Sequence, residues 1–513
     1  MSNVARSESI PSDVITEDES GVPEDHQPVG VMHRMKRFLP KSNFSRHVIM
    51  LAGGTAFAQA VVILTSPILT RLYRPEDFGV VGVYTSLLTI LLTISSFQYE
   101  LAIPLPVEEE KAVNILALTI AILFGSTLVL IMAYFIWGNA FLASINAPAL
   151  KPYFWLLPLG LFGGGLYKIL NYWALRHKAF SEISRTRVNR SVGQIFSQLG
   201  IIFLVKGPLG LFIGQLINQA GGCGTLGMLL LRRNRSTFSF ISFVGMGKMA
   251  VRYRNFPLLN TWSALANAAG SQVPNILLAS LFGNYVLGLY SVSLRIMFMP
   301  LDLIGQATGQ VFFSRLREAH TKGHLPMMTW KVFLYLVTLS AGIFGLLASS
   351  GDVLFGMVFG SHWYMAGRYG QWLAPWSFLC FISLPLNNLV FILERQRDNM
   401  YFQIVLMLSR IGAIYFGARL FHGPNHTIQL FSALSALFWL LYLCWLMRIS
   451  GNSVRVTLEI ILRESLLTLL LVLPILTIRL LHGPIWLLLF GIVLSASMII
   501  LRIQHQIKSL GSP

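Results

Sequence analysis

The chain has 513 residues, of which 54% are hydrophobic and only 12% are charged, and its mean hydropathy is +0.64. Soluble domains carry about 25% charged residues, so this composition excludes an ordinary soluble protein and indicates a surface that mostly faces lipid. The formal net charge of +18 does not indicate nucleic-acid binding, because the basic residues lie between long apolar runs instead of on one polar domain.

The amino-terminal 45 residues differ from the rest of the chain. They are acidic up to Asp25 and basic from Arg34 onwards, and they hold too little apolar side chain to fold. We therefore expect residues 1–45 to be a disordered cytoplasmic tail. No apolar stretch with a cleavage site precedes the first long apolar run, so we expect that run to be an uncleaved anchor.

Long apolar runs follow along the whole remaining chain. A membrane-spanning helix needs about 20 mostly apolar residues, so the sequence predicts an all-α polytopic membrane protein with about 14 spans. The spans are expected at residues 47–70, 78–104, 111–137, 152–175, 191–206, 209–231, 256–282, 286–313, 328–350, 371–393, 400–420, 427–448, 457–481 and 484–503.

Lysine and arginine are shared unevenly between the loops. With the amino terminus inside, the internal loops are rich in them, as in residues 176–190 and 232–254, whereas the alternate loops are almost bare. Positive charge marks cytoplasmic loops. We therefore expect an even number of spans and two cytoplasmic termini.

A weak internal repeat indicates two halves. Pro67 is followed by Gly-Val-Tyr at 82–84, and Pro274 is followed at nearly the same spacing by Gly-Leu-Tyr at 288–290. An even number of spans separates the copies, as in a parallel repeat. We expect two six-helix bundles in a pseudo-twofold arrangement around a central cavity, plus two C-terminal helices. The expected boundaries are 46–235 for the first bundle, 236–255 for a cytoplasmic interfacial linker, 256–450 for the second bundle and 451–513 for the extra helices.

Charged residues inside the predicted spans are the first functional candidates, because charges at membrane depth are costly. Arg295 and Arg410 lie deep in their spans, and we interpret them as functional. Glu100 and Lys168 lie nearer the ends expected to be cytoplasmic, so snorkelling or a structural pair explains them equally well. Asp302 shares the eighth span with Arg295.

Polar side chains also recur at helical spacing in the first, second, seventh and eighth predicted spans. A polar stripe at membrane depth must face protein or water. Hydrogen bonds between helices would explain the serines and threonines, but they explain arginine, aspartate and glutamine poorly. We therefore expect a hydrated central cavity with a cationic bias. The residues predicted to line it are Gln59, Asn260, Asn267, Arg295, Asp302, Gln306 and Arg410.

No nucleotide or metal motif is visible in the sequence. The segment Gly-Met-Gly-Lys at 245–248 lacks the upstream glycine and the following hydroxyl residue of a P-loop. Cys223, Cys380 and Cys444 have neither paired spacing nor a histidine cluster nearby. We expect no cofactor and no transport driven by ATP bound to this chain.

Several runs resemble a known family. These are SPILTRLYRPEDFGVVGVY at 66–84, YELAIPLP at 99–106, FPLLNTWSALANAAGSQVPNILLASLFG at 256–283, GLYSVSLRIMFMPLDLIGQ from Gly288, and FGSHWYMAGRY at 359–369. Together they resemble polysaccharide-biosynthesis exporters of the Wzx type, from about residue 46 to residue 400.

The resemblance implies a non-enzymatic flippase of the multidrug/oligosaccharidyl-lipid/polysaccharide exporter superfamily. Such a protein translocates a polyprenyl-diphosphate-linked oligosaccharide repeat unit across the bacterial cytoplasmic (inner) membrane by alternating access, for O-antigen, capsule or exopolysaccharide synthesis. It implies that Arg295 and Arg410 neutralise the diphosphate, that amides and hydroxyls bind sugars, and that Glu100 couples a proton or cation. A polysaccharide polymerase and a chain-length regulator are expected as protein partners.

Two other functions stay open at this point. A drug or cation antiporter of the same superfamily would favour several carboxylates facing the cavity, whereas this chain has mainly Glu100 and Asp302 against two arginines. A membrane polymerase or ligase needs a catalytic group on a long external loop, and the longest expected one, 351–370, carries no paired carboxylates.

Overall fold

The computed structural model describes residues 43–233 and 235–511, so the predicted tail, 1–45, lies almost wholly outside the described residues. Within those ranges the chain is helical and contains no strand. All contacts discussed below belong to the compact unit Ile49–Pro513. The unit before it, Met1–Val48, is described only from residue 43, where it is helical.

The helices are numbered in chain order. They are α1 Asn43–Leu72, α2 Pro75–Ile94, α3 Glu109–Ser144, α4 Leu156–Arg176, α5 Phe180–Leu204, α6 Leu209–Ala220, α7 Cys223–Arg233, α8 Phe243–Arg252, α9 Thr261–Pro300, α10 Gln306–Thr321, α11 Leu325–Phe359, α12 Tyr364–Leu386, α13 Leu389–Ile392, α14 Gln396–Phe421, α15 Pro424–Ile449, α16 Val454–Leu471, α17 Leu473–Leu480 and α18 Ile485–Gly511.

The described helices make this a multi-pass membrane protein. Eight helices in the described ranges are long and apolar enough to cross a membrane, or nine if α16 and α17, which meet at a bend of 53°, form one span. Each of the fourteen predicted spans overlaps a helix, but several of these helices are too short or too polar to pass on length and composition. The count of fourteen therefore stays a prediction.

Helix α9 is a hairpin of two antiparallel helices. Its backbone leaves the helical region at Gly283, where φ is +86°, a conformation that favours glycine. Ser291 and Asn275 lie eight residues to either side of this bend, and they reach Gly82 and Ser86 on the same stretch of α2. The chain therefore reverses at Gly283. We call residues 261–282 α9N and residues 284–300 α9C.

The two bundles repeat the same packing. Tyr84 of α2 is fully buried and packs edge-on against Phe212 of α6, with ring centroids 5.1 Å apart. Tyr290 of α9C is equally buried and packs edge-on against Phe431 of α15 at 6.1 Å. The predicted Gly-aliphatic-Tyr repeat thus falls at equivalent places in two helix bundles, in agreement with the expected fold. The predicted domain boundaries stay predictions.

Two ion pairs with buried carboxylates hold the last helices, one to the second bundle and one to each other. Arg479 of α17 pairs with Asp352 of α11, which is 1% exposed and also accepts hydrogen bonds from Tyr364 at 2.9 Å and Gln371 at 3.0 Å. A second pair joins Arg502 of α18 to Glu464 of α16. Because every Asp352 oxygen has a partner, the carboxylate is stabilised at a depth where an unpaired one would be costly.

The segment before α9 is folded against the first bundle. Asn114 of α3 donates from Nδ2 to the carbonyl of Phe240 at 2.9 Å, and its Oδ1 accepts from the backbone N–H of Ser242 at 3.0 Å. The Tyr99 hydroxyl donates to the carbonyl of Ala250 in α8 at 3.0 Å. Phe243 remains 91% exposed, as suits a short amphipathic helix at a membrane surface.

Candidate functional site: a cavity between the two bundles

The polar stripe of α9N lies on a face that is open to solvent along most of its length. Asn260, Asn267 and Ser271 are exposed. Asn275 continues the same face, but it is partly buried and donates from Nδ2 to the Ser86 hydroxyl of α2 at 3.1 Å. The face thus passes from open space, at the start of α9, to a helix contact near the bend.

Helix α1 shows the same change along its own polar face. Gln59, Ser66 and Thr70 share one face by helical spacing. Gln59 is exposed, whereas Ser66 and Thr70 are 3% and 5% exposed. The polar faces of α1 and α9N are therefore exposed at the end where α9 begins and buried at the end where α1 finishes. We call these the open end and the closed end; the distribution of lysine and arginine predicts that the closed end is external.

Glycines allow α2 and α9C to touch at the closed end. A Cβ at Gly79 would overlap the carbonyl of Asn284, and a Cβ at Gly288 would overlap the carbonyl of Pro75. Such contact between backbones is typical of small-residue packing in membranes. Only glycine fits at these two positions while this end is closed.

A tryptophan of the second bundle completes the closed end. Trp363, just before α12, is 1% exposed and donates from Nε1 to the carbonyl of Thr70 at 2.7 Å. Its ring packs edge-on against Phe78 of α2 at 5.2 Å. Trp363 therefore joins the second bundle to both α1 and α2 of the first.

Replacing Trp363 by phenylalanine should loosen the closed end while keeping an aromatic ring there. The substitution leaves the Thr70 carbonyl without its donor, at a cost of about 1 kcal/mol or about fivefold in the open-to-closed ratio. Reaction of a cysteine placed at Ser66 with a membrane-impermeant thiol reagent should speed up by that factor. Trp155→Phe, at a half-exposed tryptophan, is the control, and an unchanged rate in Trp363→Phe would contradict this role.

Arg295 lies on the face of α9C that points towards α2. It is one helical turn beyond Ser291, whose hydroxyl would be 3.2 Å from a Cβ at Gly82 of α2. Arg295 is only partly buried, and none of the ion pairs among the described residues includes it. A guanidinium without a carboxylate partner thus lies between the bundles, on the open side of the closed-end contacts.

Arg410 occupies a different place from Arg295. Its guanidinium carbon lies 4.9 Å from the ring centroid of Trp376 in α12 and 5.9 Å from that of Phe431 in α15. Phe431 also packs on Tyr290, which by helical spacing points about 140° away from Arg295 around α9C. Arg410 is therefore inside the second bundle, whereas Arg295 faces the first.

A π turn interrupts the predicted stripe after Arg295. Residues Leu301–Gly305 form this turn, which holds the exposed Asp302, and Gln306 begins α10 after it. Because a π turn closes from residue i to i+5, it rotates the residues that follow relative to an α-helix. The expectation of one continuous α-helical face through Arg295, Asp302 and Gln306 is therefore wrong. A second π turn, Phe256–Asn260, precedes α9 and ends at Asn260.

Glu100 is held in a buried ion pair near the open end. It is 0% exposed, its Oε1 lies 2.5 Å from Nζ of Lys168 in α4, and its Oε2 accepts from the Ser96 hydroxyl at 2.5 Å. The turn before it contains Phe97 and Gln98, both with positive φ. The sequence left open whether Glu100 and Lys168 snorkel from their helix ends or form a structural pair. The structure shows the pair.

The sequence predictions missed the closed-end residues. Trp363 and Thr70 lie 293 positions apart, so no local pattern connects them. The sequence repeat aligns Gly288 with Gly82, whereas the glycines at the helix contact are Gly79 and Gly288, and nothing in the repeat shows that the two helices touch. Among the predicted residues, Gln59, Asn260 and Asn267 are exposed and Arg295 lies on the face of α9C towards α2, while Arg410 and Glu100 lie within separate bundles.

Comparisons with known proteins agree with this architecture. A family model described as "Polysaccharide biosynthesis protein" matches residues 68–367, more than half of the chain. A structure described as "Lipid II flippase MurJ, inward closed conformation" superimposes with a TM-score of 0.63 at 12% identity, covering 89% of this chain and 98% of that one.

A second similar structure is described as "Inward-facing conformation of a multidrug resistance MATE family transporter of the MOP superfamily". It superimposes with a TM-score of 0.60 at 12% identity and covers 77% of this chain and 95% of that one. At such low identity the two structures establish the fold alone. No curated protein sequence matches the chain. Because the family model covers α2, α9C and more than half of the sequence, this chain belongs to the polysaccharide biosynthesis protein family.

Proposed function

We propose that this protein is a flippase that moves a polyprenyl-diphosphate-linked oligosaccharide repeat unit across the bacterial cytoplasmic membrane by alternating access, for surface polysaccharide synthesis. The observation that carries the proposal is the unpaired Arg295 on the face of α9C towards the first bundle, in a chain of the polysaccharide biosynthesis family. A polysaccharide polymerase and a chain-length regulator are the proposed protein partners, and both termini are proposed to be cytoplasmic.

Arg295 is proposed to bind the diphosphate. A guanidinium group presents planar pairs of N–H donors that match phosphate oxygens. The hydrogen bonds between the two groups are stronger where water is partly excluded. Since no carboxylate among the described residues pairs with Arg295, its donors are available to a phosphate. Arg410 lies behind α9C, and we propose that it adds positive potential to the same cavity.

The amide and hydroxyl side chains are proposed to bind the sugars. Asn260, Asn267 and Gln59 are exposed and offer both donors and acceptors. Asp302 and Gln306, at the π turn, are proposed as further polar contacts near the open end. Spread over several turns of helix, these groups suit an extended polar oligosaccharide better than a compact drug cation.

The closed-end geometry supports alternating access. The cavity is open at one end, and the contact between α2 and α9C closes the other. Exposing the cavity to the opposite side requires these two helices to separate and Trp363 to leave Thr70. Because the contacts are backbone packing and single hydrogen bonds, the cost of breaking them is small enough for substrate binding to supply.

Glu100 is proposed to couple transport to a proton or cation. Because it pairs with Lys168, variants of the two residues can distinguish this coupling role from a structural one. Lys168→Met should destabilise the protein by on the order of 3 kcal/mol, because it leaves a fully buried carboxylate without its cation. Glu100→Gln should cost less, since Lys168 is 32% exposed and can reach water. Thermal unfolding in detergent measures both.

The double variant Glu100→Gln/Lys168→Met is the decisive control. It should regain most of the lost stability, because neither charge is then left alone. If Glu100 is the coupling group, the double variant should fold yet transport independently of an imposed proton or sodium gradient. Transport with an unchanged gradient dependence would show that Glu100 has only a structural role.

The proposed function is tested first by deleting the gene in the source organism and locating the lipid-linked repeat units. Loss of surface polymer with single lipid-linked repeats trapped on the cytoplasmic face would establish a flippase. Repeats trapped on the outer face would indicate a polymerase or ligase. Unchanged polymer with altered drug sensitivity would indicate an antiporter, and either of these results would overturn the proposal.

A further inference from the structure

The interior of the second bundle contains buried donors that nothing accepts. Nε of Arg410, Nε1 of Trp376 and the hydroxyl of Ser435 have no hydrogen-bond partner among the described residues. Trp376 is 5% exposed and Ser435 is 0% exposed, so water outside the bundle does not reach them. An unsatisfied buried donor costs about 1–3 kcal/mol, and several of them together require an explanation.

Two of the three side chains are in contact, and the third shares a helix face with a ring that both of them touch. The Arg410 guanidinium lies over Trp376 at 4.9 Å, and the rings of Trp376 and Phe431 are 5.5 Å apart. Ser435 lies one helical turn beyond Phe431 on α15, on the same face of that helix. We call Arg410, Trp376, Phe431 and Ser435 the Arg410 cluster; it joins α12, α14 and α15.

The Ser435 hydroxyl makes no bond to its own helix. Some buried serines donate to a backbone carbonyl one turn earlier, as Ser340 does to Leu336 at 2.6 Å and Ser383 does to Leu379 at 2.8 Å, whereas Ser293, Ser377 and Ser495 resemble Ser435 in having no partner among the described residues. Serine in a helix takes that bond by default when nothing better is available. A hydroxyl that leaves it unused is free to donate to a ligand.

The charge of the cluster is not balanced by a carboxylate. Glu394 and Asp398 are the acidic residues between 364 and 449, and Asp398 pairs with Arg395, next to the start of α14. No ion pair among the described residues includes Arg410. Arg410 is partly buried, with Nε buried and unpaired, and stacking on aromatic rings contributes about 0.5–2 kcal/mol to its stability.

We propose that the Arg410 cluster is a binding site for a small anion inside the second bundle, distinct from the cavity where Arg295 lies. Each free polar atom named in the cluster can donate a hydrogen bond and the guanidinium is cationic, so the site favours anions over cations. A halide such as chloride needs only a few convergent N–H and O–H donors and no second charge, which suits one guanidinium, one indole and one hydroxyl. The phosphate of a lipid-linked substrate shares this chemistry.

A bound anion would have a mechanical effect as well as an electrostatic one. It would bridge α12, α14 and α15, whose side chains supply the donors. It would also remove the repulsion between Arg410 and any cation that enters the bundle. Binding is independent of transport, so this inference does not rest on the proposed function.

The test is thermal unfolding of the full-length protein in detergent as chloride replaces gluconate at constant ionic strength. A ligand that binds only the folded state raises the Tm in a saturable way. We expect such a rise for the wild type, its loss in Arg410→Gln, and its retention in Arg295→Gln, the matched arginine of the cavity. Absence of a saturable chloride effect, or an equal effect in Arg410→Gln, would overturn a chloride site.

A second variant and a second anion complete the test. Trp376→Phe keeps the ring under Arg410 but removes Nε1–H, and it should weaken chloride binding by about tenfold, even if Arg410→Gln does not fold. Inorganic diphosphate is titrated in parallel. A rise in Tm with diphosphate but not with chloride, lost in Arg410→Gln, would assign the site to the substrate phosphate; no response to either anion would refute the anion site altogether.

Discussion

Replacing Arg295 by glutamine is expected to reduce translocation of the lipid-linked substrate by about 30-fold or more while leaving the protein folded. The charge pair concerned is the one proposed between Arg295 and the substrate phosphate. Removing one partner of a buried, hydrogen-bonded charge pair weakens binding by about 2–5 kcal/mol, and 1.4 kcal/mol corresponds to a factor of ten. The fold should tolerate the change, because Arg295 makes no ion pair with the described residues that its loss would break.

The measurement for Arg295 is transfer of a lipid-linked oligosaccharide across the membrane of proteoliposomes. Arg419→Gln is the matched control, because Arg419 belongs to the same bundle but is exposed near the end of α14. Arg295→Lys should recover part of the activity, since it keeps the charge but loses the paired donors. Wild-type translocation by Arg295→Gln would remove this residue from the site.

Replacing Gly288 by alanine is expected to abolish transport nearly completely by preventing the closed end from forming. The added Cβ would overlap the carbonyl of Pro75, and a backbone carbonyl cannot turn aside as a flexible side chain can. Overpacking costs about 1–3 kcal/mol, and at the upper limit this shifts a two-state equilibrium more than a hundredfold. The protein should therefore remain folded but favour the state open at the opposite end.

Cysteine labelling separates this effect from misfolding. A cysteine at Ser291, placed behind the closed-end contact, should react with an impermeant thiol reagent from the closed side much faster in Gly288→Ala than in the parent. Gly125→Ala is the control, because a Cβ there meets nothing within 4 Å. The prediction is contradicted if the cysteine at Ser291 reacts as slowly in Gly288→Ala as in the parent and transport is normal. That result would show that α2 and α9C need not touch at Gly288 during transport.

Local patterns predicted the parts of the cavity that each helix carries by itself. Asn260 and Asn267 were predicted to share a face because helical spacing places them there, and both are exposed on that face. The repeat of Gly-aliphatic-Tyr predicted two halves, and Tyr84 and Tyr290 pack in equivalent ways. These features depend only on residues within a turn or two of each other, or on a motif that occurs twice.

The π turns could not be predicted in this way. The spacing of Arg295, Asp302 and Gln306 fits an α-helix, but one extra residue in the turn at 301–305 changes the direction of everything after it. A π turn is less favourable than an α-helical one and persists where the surrounding packing compensates for it. Its position therefore depends on neighbouring helices, which a single helix sequence does not describe.

By itself, the sequence determined that this chain is a helical membrane protein in two related halves with polar faces on particular helices, because hydropathy and periodicity are local properties. Only the tertiary structure decided that Arg295 faces the opposite bundle while Arg410 lies among aromatic rings, and that Glu100 pairs with Lys168. It also decided that Trp363 reaches Thr70, 293 residues away, to close one end of the cavity. Each of these outcomes depends on how helices pack against one another, and in lipid that packing is selected by close contacts and hydrogen bonds between distant segments rather than by hydrophobicity.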